Sequence, residues 1–363
     1  MSSADLGEAE AAAVLAVLRG GTLSMGLFLD RFEAAFAEYI GASDAVAVSS
    51  GTAGLHLAVI AAGIGEGDEV VTSPFSFVAS ANCVLFERAR VIFADIDEEN
   101  LTIDPAAVAR AVTPRTRAVI PVHIFGQPAA LDEIGAVAEA SGLTVIEDAC
   151  EAIGSEYRGR RVGTFGKSAV FSFYPNKQMT TGEGAMVTTN DPAVASLLRS
   201  LRNQGREQAG AWLNHERLGY NYRMPELSAA LGLAQLERLE EILQRREEVA
   251  RQYRSHCDGI DGIRLIAPAP ATSRLSWFTA VLRLDPAIDR DRLIGRLAAR
   301  GIPTRAYFSP LHLQPLYRRL YGHAPGDFPV AERVARSTLA LPFHTRLRED
   351  DVAEICSVVA EEL

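Results

Sequence analysis

The sequence predicts an α/β fold in which a largely parallel sheet lies between helices. Short β-rich runs alternate with helical stretches over the first two thirds of the chain, a pattern typical of βαβ units. The 363 residues, 48% of them hydrophobic, suffice for a large core, and at roughly 150 residues per domain they suggest about two domains. Ligands of such sheets bind beyond the carboxyl ends of the strands, so the residues there are the first candidates for function.

The elements of this first part follow in order along the chain. The predicted strands are Ala45–Ser50, Glu69–Ser73, Arg90–Asp95, Arg117–Val122, Leu143–Asp148, Ser168–Phe173 and Ala185–Thr189. The predicted helices, with apolar residues at helical spacing, are Thr52–Ala62, Ser76–Phe86, Asp104–Val112, Ala130–Ser141 and Asp191–Asn203. We therefore expect a large domain with a mostly parallel seven-stranded sheet between helices.

The last third predicts a second, smaller unit. Pro225 is expected to open one long amphipathic helix that ends near Cys257, with the charged run Glu237–Arg251 facing solvent. After the Pro-rich loop at 267–272, the predicted elements are a strand at Ser276–Leu284 and helices at Asp291–Arg300 and Asp350–Glu361. We predict a large domain of residues 1–245 and a small C-terminal α+β domain of residues 246–363.

Composition and charge disfavour several classes of function. No uninterrupted apolar run approaches the ~18 residues of a membrane helix, and the N-terminus is acidic where a signal peptide is basic. The net charge of −10 argues against non-specific binding to nucleic acid or to an anionic membrane. Cys83, Cys150, Cys257 and Cys356 form no CxxC pair and suggest neither a metal site nor a disulfide framework. We expect a cytoplasmic enzyme without nucleic-acid, membrane or metal partners.

Lysine is rare in this chain. Of the 36 basic residues only Lys167 and Lys177 are lysines. Arg stays protonated, whereas a buried Lys can lose its proton and attack a carbonyl, so a lysine that survives in an Arg-rich chain is a candidate nucleophile. Codon bias explains the same count and is the simpler explanation when the count stands alone.

The ends of the first two strands suit a phosphorylated ring. The first strand runs into Ser50-Gly51-Thr52-Ala53, where small residues at a helix N-terminus admit an anion, although an ordinary turn explains them equally well. Phe77, beyond the second strand, could cover a flat ring. The sequence contains no G-x-G-x-x-G and no Walker A motif, which disfavours a dinucleotide or a nucleoside triphosphate.

Asp148 and Lys177 indicate which ring. Asp148 ends an otherwise apolar strand, where a carboxylate can hold a pyridinium nitrogen protonated, as in pyridoxal phosphate (PLP) sites. A helix N-cap is the equally weighted alternative. Lys177 follows the end of the next strand, near Ser172 and a glycine-containing turn at 182–184. These residue types suit a bond to a carbonyl, a phosphate contact and a close backbone approach.

Longer motifs then carry a resemblance that extends from about Gly21 to Leu347. The most specific are FSFYPNK, TTGEG and GYNYRM, accompanied by SSGTAGLHL, SPFSFVASAN, ADIDEENLTID, PVHIFGQPA, IEDACEAIGSEYRGRRVG and LPFHTRL. In these motifs, over nearly the whole chain, the sequence resembles the DegT/DnrJ/EryC1/StrS family, which comprises PLP-dependent sugar aminotransferases of fold type I. The resemblance thus implies fold type I, PLP as cofactor and a homodimer with shared active sites.

The resemblance also implies roles for residues around the ring. Lys177 would bind the cofactor covalently and carry protons, Asp148 would pair with the pyridine nitrogen, and Phe77 would lie against the ring face. Glu151 stands where many relatives carry Gln, and whether it still bonds near the phenolic oxygen stays open.

Further roles concern the phosphate and the substrate. The backbone amides of Thr52 and Ala53 and the Ser172 hydroxyl would hold the phosphate, and Asn221 would reach it from the neighbouring subunit. His312 is a candidate substrate contact, with a hydrogen-bonded structural histidine as the alternative. Arg223 is a candidate for a diphosphate, with an interface salt bridge as the alternative.

The reaction that the resemblance implies is transfer of an amino group from glutamate to a keto-deoxy sugar of a nucleotide-sugar, for surface polysaccharide or amino-sugar biosynthesis. Lys177 is intact, which disfavours the dehydratase branch of the family, where His replaces this lysine. The alternatives are an aminocyclitol (keto-inositol) aminotransferase of antibiotic biosynthesis and a catalytically idle regulatory homologue. The sugar, the nucleotide and the choice between C3 and C4 amination stay open.

Overall fold

The computed structural model describes residues 1–206 and 214–363. Its helices are α1 (Glu8–Gly20), α2 (Leu27–Ile40), α3 (Gly51–Ala61), α4 (Ala79–Phe86), α5 (Pro105–Ala111), α6 (Leu131–Ser141), α7 (Pro192–Arg202), α8 (Glu226–Glu237), α9 (Leu239–Cys257), α10 (Arg290–Ala299), α11 (Pro315–Tyr321), α12 (Pro329–Ser337) and α13 (Glu349–Glu362). Its strands are β1 (Asp44–Val48), β2 (Glu69–Thr72), β3 (Arg90–Phe93), β4 (Thr116–Ile120), β5 (Thr144–Asp148), β6 (Glu156–Tyr157), β7 (Arg160–Arg161), β8 (Ser168–Ser172), β9 (Ala185–Thr189), β10 (Ile263–Leu265), β11 (Thr272–Arg274), β12 (Val281–Leu284) and β13 (Thr338–Ala340).

A seven-stranded sheet forms the centre of the molecule, in the spatial order β1-β9-β8-β5-β4-β2-β3. β9 pairs antiparallel with both β1 and β8, and the other neighbours are parallel. Each strand predicted for the first part of the chain lies in this sheet, with its ends displaced by at most two residues. The mostly parallel seven-stranded sheet is confirmed.

Helices cover both faces of the sheet because its strands are apolar on both faces. On β2, Val70 packs in a buried cluster with Leu57 of α3 and Val84 of α4. The next residue, Val71, points to the other face and packs with Val108 of α5 and Ile134 of α6. This burial on both sides leaves the ends of the strands as the places where polar side chains reach a cavity.

The long helix expected from Pro225 to Cys257 is wrong in one respect, because it is two helices. The chain breaks between α8 and α9 at Arg238, whose φ of −114° and ψ of 15° are not helical. The Arg238 guanidinium donates to Asp5 Oδ1 and Glu10 Oε1, each at 2.9 Å. Because these carboxylates lie far from Arg238 in sequence, no local sequence pattern predicts the break between α8 and α9.

The expectation that Glu237–Arg251 faces solvent is also wrong for one side of α9. Leu239, Ile242 and Leu243 recur at helical spacing and are buried, and Arg246 is buried with them. Arg246 donates from Nε to the Trp277 carbonyl at 2.9 Å and from Nη2 to the Phe278 carbonyl at 2.8 Å. The many charged residues of the run obscure this apolar stripe.

The C-terminal part contains an antiparallel sheet in the order β10-β12-β13. The strand expected at Ser276–Leu284 is confined to Val281–Leu284, since Ser276 instead bonds Ser155 and Gln178. The predicted helices are present as α10 and α13.

The proposed division after residue 245 falls inside α9. The first turns of that helix pack with Phe32 and Phe36 of α2, and its last turns pack in the C-terminal core. The domain boundary stays a prediction. Among the described residues, no helix has both the length and the apolar character of a membrane span.

Candidate active site

A cavity of about 440 Å³ lies at the carboxyl ends of the central strands. Of the residues selected from the sequence, the ones that line it are Thr52, Phe77, Asp148, Glu151, Ser172 and Lys177. A larger cavity of about 750 Å³ beside β10 and α10 contains none of the predicted site residues. The smaller cavity is therefore the candidate active site.

Asp148 is the last residue of β5, and both of its carboxylate oxygens have donors. Oδ2 accepts from the Ser80 hydroxyl at 2.6 Å, and Oδ1 accepts from the Cys150 backbone N–H at 3.2 Å. The Ser76 hydroxyl lies 2.8 Å from the Ser80 oxygen. Because the hydrogen of Ser80 is directed to Asp148, Ser76 is the donor to Ser80. Residues 149–155 form turns and no helix, so Asp148 is not a helix N-cap.

Sequence reasoning missed Ser76 and Ser80. Their signal is the spacing of four residues in the segment that leads into α4, where Ser76 precedes the helix and Ser80 lies in its first turn. Both are buried, and both line the cavity. A hydrogen bond of 2.6 Å from a hydroxyl to a carboxylate has the length of a charge-assisted bond, which orients the acceptor strongly.

Lys177 and Glu151 form an ion pair in the lining of the cavity. Lys177 Nζ donates to Glu151 Oε1 at 3.2 Å and lies 4.4 Å from the centroid of the Phe278 ring. Glu151 Oε2 accepts from the Phe125 backbone N–H at 2.9 Å. Burial raises the pKa of Glu151, and the nearby Lys177 ammonium opposes this rise only in part. The pair is nearly enclosed, with 12% of the Lys177 side chain exposed.

The N-terminus of α3 borders the same cavity. Ser50 caps this helix, since its hydroxyl oxygen accepts from the Ala53 N–H at 3.1 Å. Ala53 is buried and does not line the cavity, so its amide is directed to Ser50. A Cβ on Gly51 would lie 3.2 Å from the Ser172 Cβ and 3.3 Å from Cys150 Sγ. Glycine thus keeps the cradle between the α3 N-terminus and Ser172 open.

Aromatic side chains form the remaining wall. Phe278, Tyr307 and Phe308 line the cavity from the C-terminal part, and Tyr307 stacks on Phe308 with 4.8 Å between ring centroids. Phe77 also lines the cavity, with 60% of its surface exposed. The site residues selected from the sequence do not include the three C-terminal aromatic residues, although Tyr307 and Phe308 belong to a stretch, 301–308, that resembles the family's sequence near the sugar nucleotide.

The structure places the other predicted residues away from the cavity lining. His312 is fully buried, with Nε2 3.1 Å from Glu332 Oε1, which matches the structural alternative. Burial lowers its pKa, although Glu332 opposes this. Asn221 is exposed, and its backbone forms an isolated antiparallel β-bridge with Asn203. The Arg223 guanidinium donates to Asn203 Oδ1 at 3.0 Å.

Comparison with known proteins decides the family. The sequence model of the DegT/DnrJ/EryC1/StrS aminotransferase family matches residues 4–360. The chain belongs to this family. It is therefore a PLP-dependent aminotransferase of fold type I, as the sequence motifs implied.

Individual family members are similar over nearly their whole length. The chain is 41% identical to the spore coat polysaccharide biosynthesis protein SpsC of Bacillus subtilis, covering 98% of this chain and 95% of SpsC. It is 41% identical to the GDP-perosamine synthase of Caulobacter vibrioides, in an alignment that covers 94% of this chain and 91% of that synthase. The solved structure of DesV from S. venezuelae, in complex with a ketimine intermediate, is 38% identical, with a TM-score of 0.91 over 97% of this chain and 93% of DesV.

Proposed function

We propose that this aminotransferase moves an amino group from glutamate to the keto group of a nucleotide-linked keto-deoxy sugar, for surface polysaccharide or amino-sugar biosynthesis. The observation that carries the proposal is the convergence of Lys177, Asp148 and the α3 N-terminus on one cavity. The names of SpsC and GDP-perosamine synthase favour polysaccharide and sugar chemistry over other aminotransferase substrates.

The donor set of the cavity fits PLP. The open cradle at Gly51, the Ser172 hydroxyl and the N-terminus of α3 suit a phosphate, because a helix N-terminus carries unpaired N–H groups and partial positive charge. Asp148 offers a carboxylate for a pyridine N–H, and Phe77 offers a ring face. Lys177 supplies the amine. In the proposal these residues hold the cofactor.

Asp148, Lys177 and Glu151 have different roles in the proposed reaction. PLP, when bound, supplies an electron sink that stabilises negative charge at the substrate carbon. Asp148, fixed by Ser80 and the Cys150 N–H, keeps the pyridine nitrogen protonated. Lys177 Nζ takes and returns the proton at the substrate carbon, and Glu151 accepts a hydrogen bond from that amine.

A homodimer completes the site in this proposal. Asn221 is exposed, and Leu218, three residues before it, has 83% of its surface exposed. Leu23, Met25 and Leu27 are further exposed apolar residues, and Phe77 stands exposed at the cavity. In the proposal these side chains pack against a second copy, and the exposed Asn221 is available to the cavity of that copy.

The proposal is tested with purified enzyme, glutamate and a panel of nucleotide-linked keto sugars. We expect 2-oxoglutarate and amino sugar in equal amounts, with loss of both in Lys177→Ala. Lys167→Ala is the matched control, because Lys167 is the other lysine of the chain and its side chain is exposed.

Two outcomes contradict the proposal. Preference for a keto-inositol over every sugar nucleotide would indicate the aminocyclitol reaction. No turnover with any acceptor, although the protein binds PLP, would indicate a regulatory homologue.

A further inference from the structure

A pair of cysteines lies outside the active site, in the core of the C-terminal part. Cys257 is the last residue of α9, and Cys356 lies within α13. Their Sγ atoms are 3.3 Å apart, and only 4% and 2% of the two residues are exposed. The residues are separated by 98 others in sequence, so neither spacing nor a CxxC motif could reveal the pair.

The two thiols differ in acidity because they share a hydrogen bond. That bond lowers the pKa of Cys257, against the effect of burial. The same bond, together with burial, raises the pKa of Cys356. Cys257 therefore ionises first, and the thiolate is the form of cysteine that attacks an oxidant or another sulfur.

We propose that Cys257 and Cys356 are a modification site, a thiol pair that a peroxide oxidises to an intramolecular disulfide between α9 and α13. The Cys257 thiolate attacks one peroxide oxygen, takes it up as a sulfenic acid, and the second oxygen leaves as hydroxide, which is protonated to water. The Cys356 sulfur then attacks the Cys257 sulfur and forms the S–S bond. The sulfenic oxygen leaves as a second water with the Cys356 proton. The two thiols lose two electrons, and the peroxide gains them.

The surrounding structure permits this closure. A disulfide needs the sulfurs to approach by roughly 1.3 Å from their present separation. Cys257 ends its helix and is followed by Asp258 and then Gly259, whose φ of +83° marks a turn, so the chain can adjust there. The helices themselves stay in place because Tyr253 of α9 and Val352 of α13 belong to the same buried core.

The bond would act on the stability of the C-terminal part. It would close a loop that contains β10 to β13 and α10 to α12, and closing so long a loop removes many conformations of the unfolded chain. Neither cysteine lines the candidate active site. The inference thus stands independently of the proposed function.

The experiment uses the full-length enzyme with its cofactor, treated with hydrogen peroxide at a small molar excess. Remaining thiols are alkylated in denaturant, and the protein is digested with trypsin without reductant. Cleavage after arginine leaves Cys257 in a peptide of residues 255–264 and Cys356 in residues 349–363. We expect these two peptides to be joined, and the melting temperature to rise on the order of 5 °C and return with dithiothreitol.

Cys356→Ser is the matched variant, because its hydroxyl can keep a hydrogen bond to Cys257 but cannot form a disulfide. It should show neither the joined peptides nor the reversible shift in melting temperature. If both cysteines of the wild-type enzyme stay alkylatable while Cys150 is oxidised, the inference is wrong. A bond from either cysteine to Cys83, to Cys150 or to a second chain would overturn it as well.

Discussion

Glu147 and Asp148 are consecutive carboxylates at the end of β5, yet they have opposite surroundings. Glu147 accepts hydrogen bonds from His123 Nε2 and from the backbone N–H groups of Gly163, Phe165 and Gly166. The protein thus occupies both of its oxygens with two donors each. Successive side chains of a strand point to opposite faces, so Asp148 faces the cavity instead.

Asp148 accepts one O–H bond, from Ser80, and one N–H bond, from Cys150, whose weakly donating thiol lies beside it. Asp148 thus has fewer strong donors than Glu147 and retains acceptor capacity for a ligand. Burial alone does not separate the two residues, since both are buried. A functional carboxylate is thus distinguished from a structural one by acceptor capacity that stays open towards a cavity. The following predictions test this difference, in order of decreasing effect.

Asp148→Asn should give the largest loss of activity. The amide cannot stabilise a protonated pyridine nitrogen as a carboxylate does, so kcat/KM should fall on the order of 10³-fold. The free energy of unfolding should change little, because Asn can still accept from the Cys150 N–H. Steady-state kinetics and urea denaturation measure the two quantities. A variant with near-normal turnover would show that another group holds the ring.

Glu147→Gln should have the opposite effect to Asp148→Asn, with a large loss of stability and a small loss of activity. His123 Nδ1 accepts from the Ala129 N–H at 3.1 Å, so its Nε2 carries the hydrogen directed at Glu147. A Gln amide would turn an NH₂ group towards some of these donors, and we expect a loss of about 3 kcal/mol in unfolding free energy. Turnover per folded molecule should fall far less than in Asp148→Asn. If activity falls as much in both variants, the division between them is contradicted.

The lowered pKa of Glu147 also predicts how the stability of the protein depends on pH. Burial raises the pKa of Glu147, but the hydrogen bonds from His123, Gly163 and Gly166 outweigh it and hold the pKa below 4.5. The ionised form therefore stabilises the folded state above pH 4.5, and this contribution is lost as the pH falls through the lowered pKa. Unfolding free energies measured by urea denaturation should fall more steeply below pH 4.5 in the wild type than in Glu147→Gln. If the unfolding free energies of the wild type and of Glu147→Gln fall in parallel below pH 4.5, the ionised Glu147 does not stabilise the folded state in this way.

Ser80→Ala should have an intermediate effect. It removes the 2.6 Å donor to Asp148 Oδ2, and loss of a hydrogen bond to a charged group corresponds to roughly a tenfold fall in kcat/KM. Ser80→Thr retains a hydroxyl and is the control. The visible spectrum of the bound cofactor should change its pH dependence in the Ala variant only. If the Thr and Ala variants behave alike, Ser80 fills space and does not position Asp148.

Ser76→Ala should have the smallest effect. Its hydroxyl contacts Ser80 at 2.8 Å and does not reach Asp148, so we expect a change in kcat/KM of about threefold or less. The same kinetic assay ranks it against Ser80→Ala. A larger loss than in Ser80→Ala would mean that Ser76 acts on the ligand directly.

The sequence predicts the strands and their ends better than it predicts the other walls of the cavity. Strands such as β2 are short apolar runs between turns, and the family motifs name the residues that follow them. The break at Arg238 could not be predicted, because it depends on Asp5 and Glu10 more than 200 residues away. The family resemblance makes His312 a candidate substrate contact, but its burial against Glu332 is decided by tertiary packing.

Arg246 ties the aromatic wall of the cavity to α9. Burial lowers the pKa of its guanidinium to about 10, and the group remains charged at neutral pH while it holds the carbonyls of Trp277 and Phe278. Separating α9 from this segment would leave a buried cation without acceptors, so the wall and the helix move or melt as one body. The first turns of α9 in turn share a buried cluster with Ala149 and Phe171, which adjoin Asp148 and Ser172 in the chain. On heating, the aromatic wall, α9 and the strand ends that border the cavity should thus be lost together, in one transition.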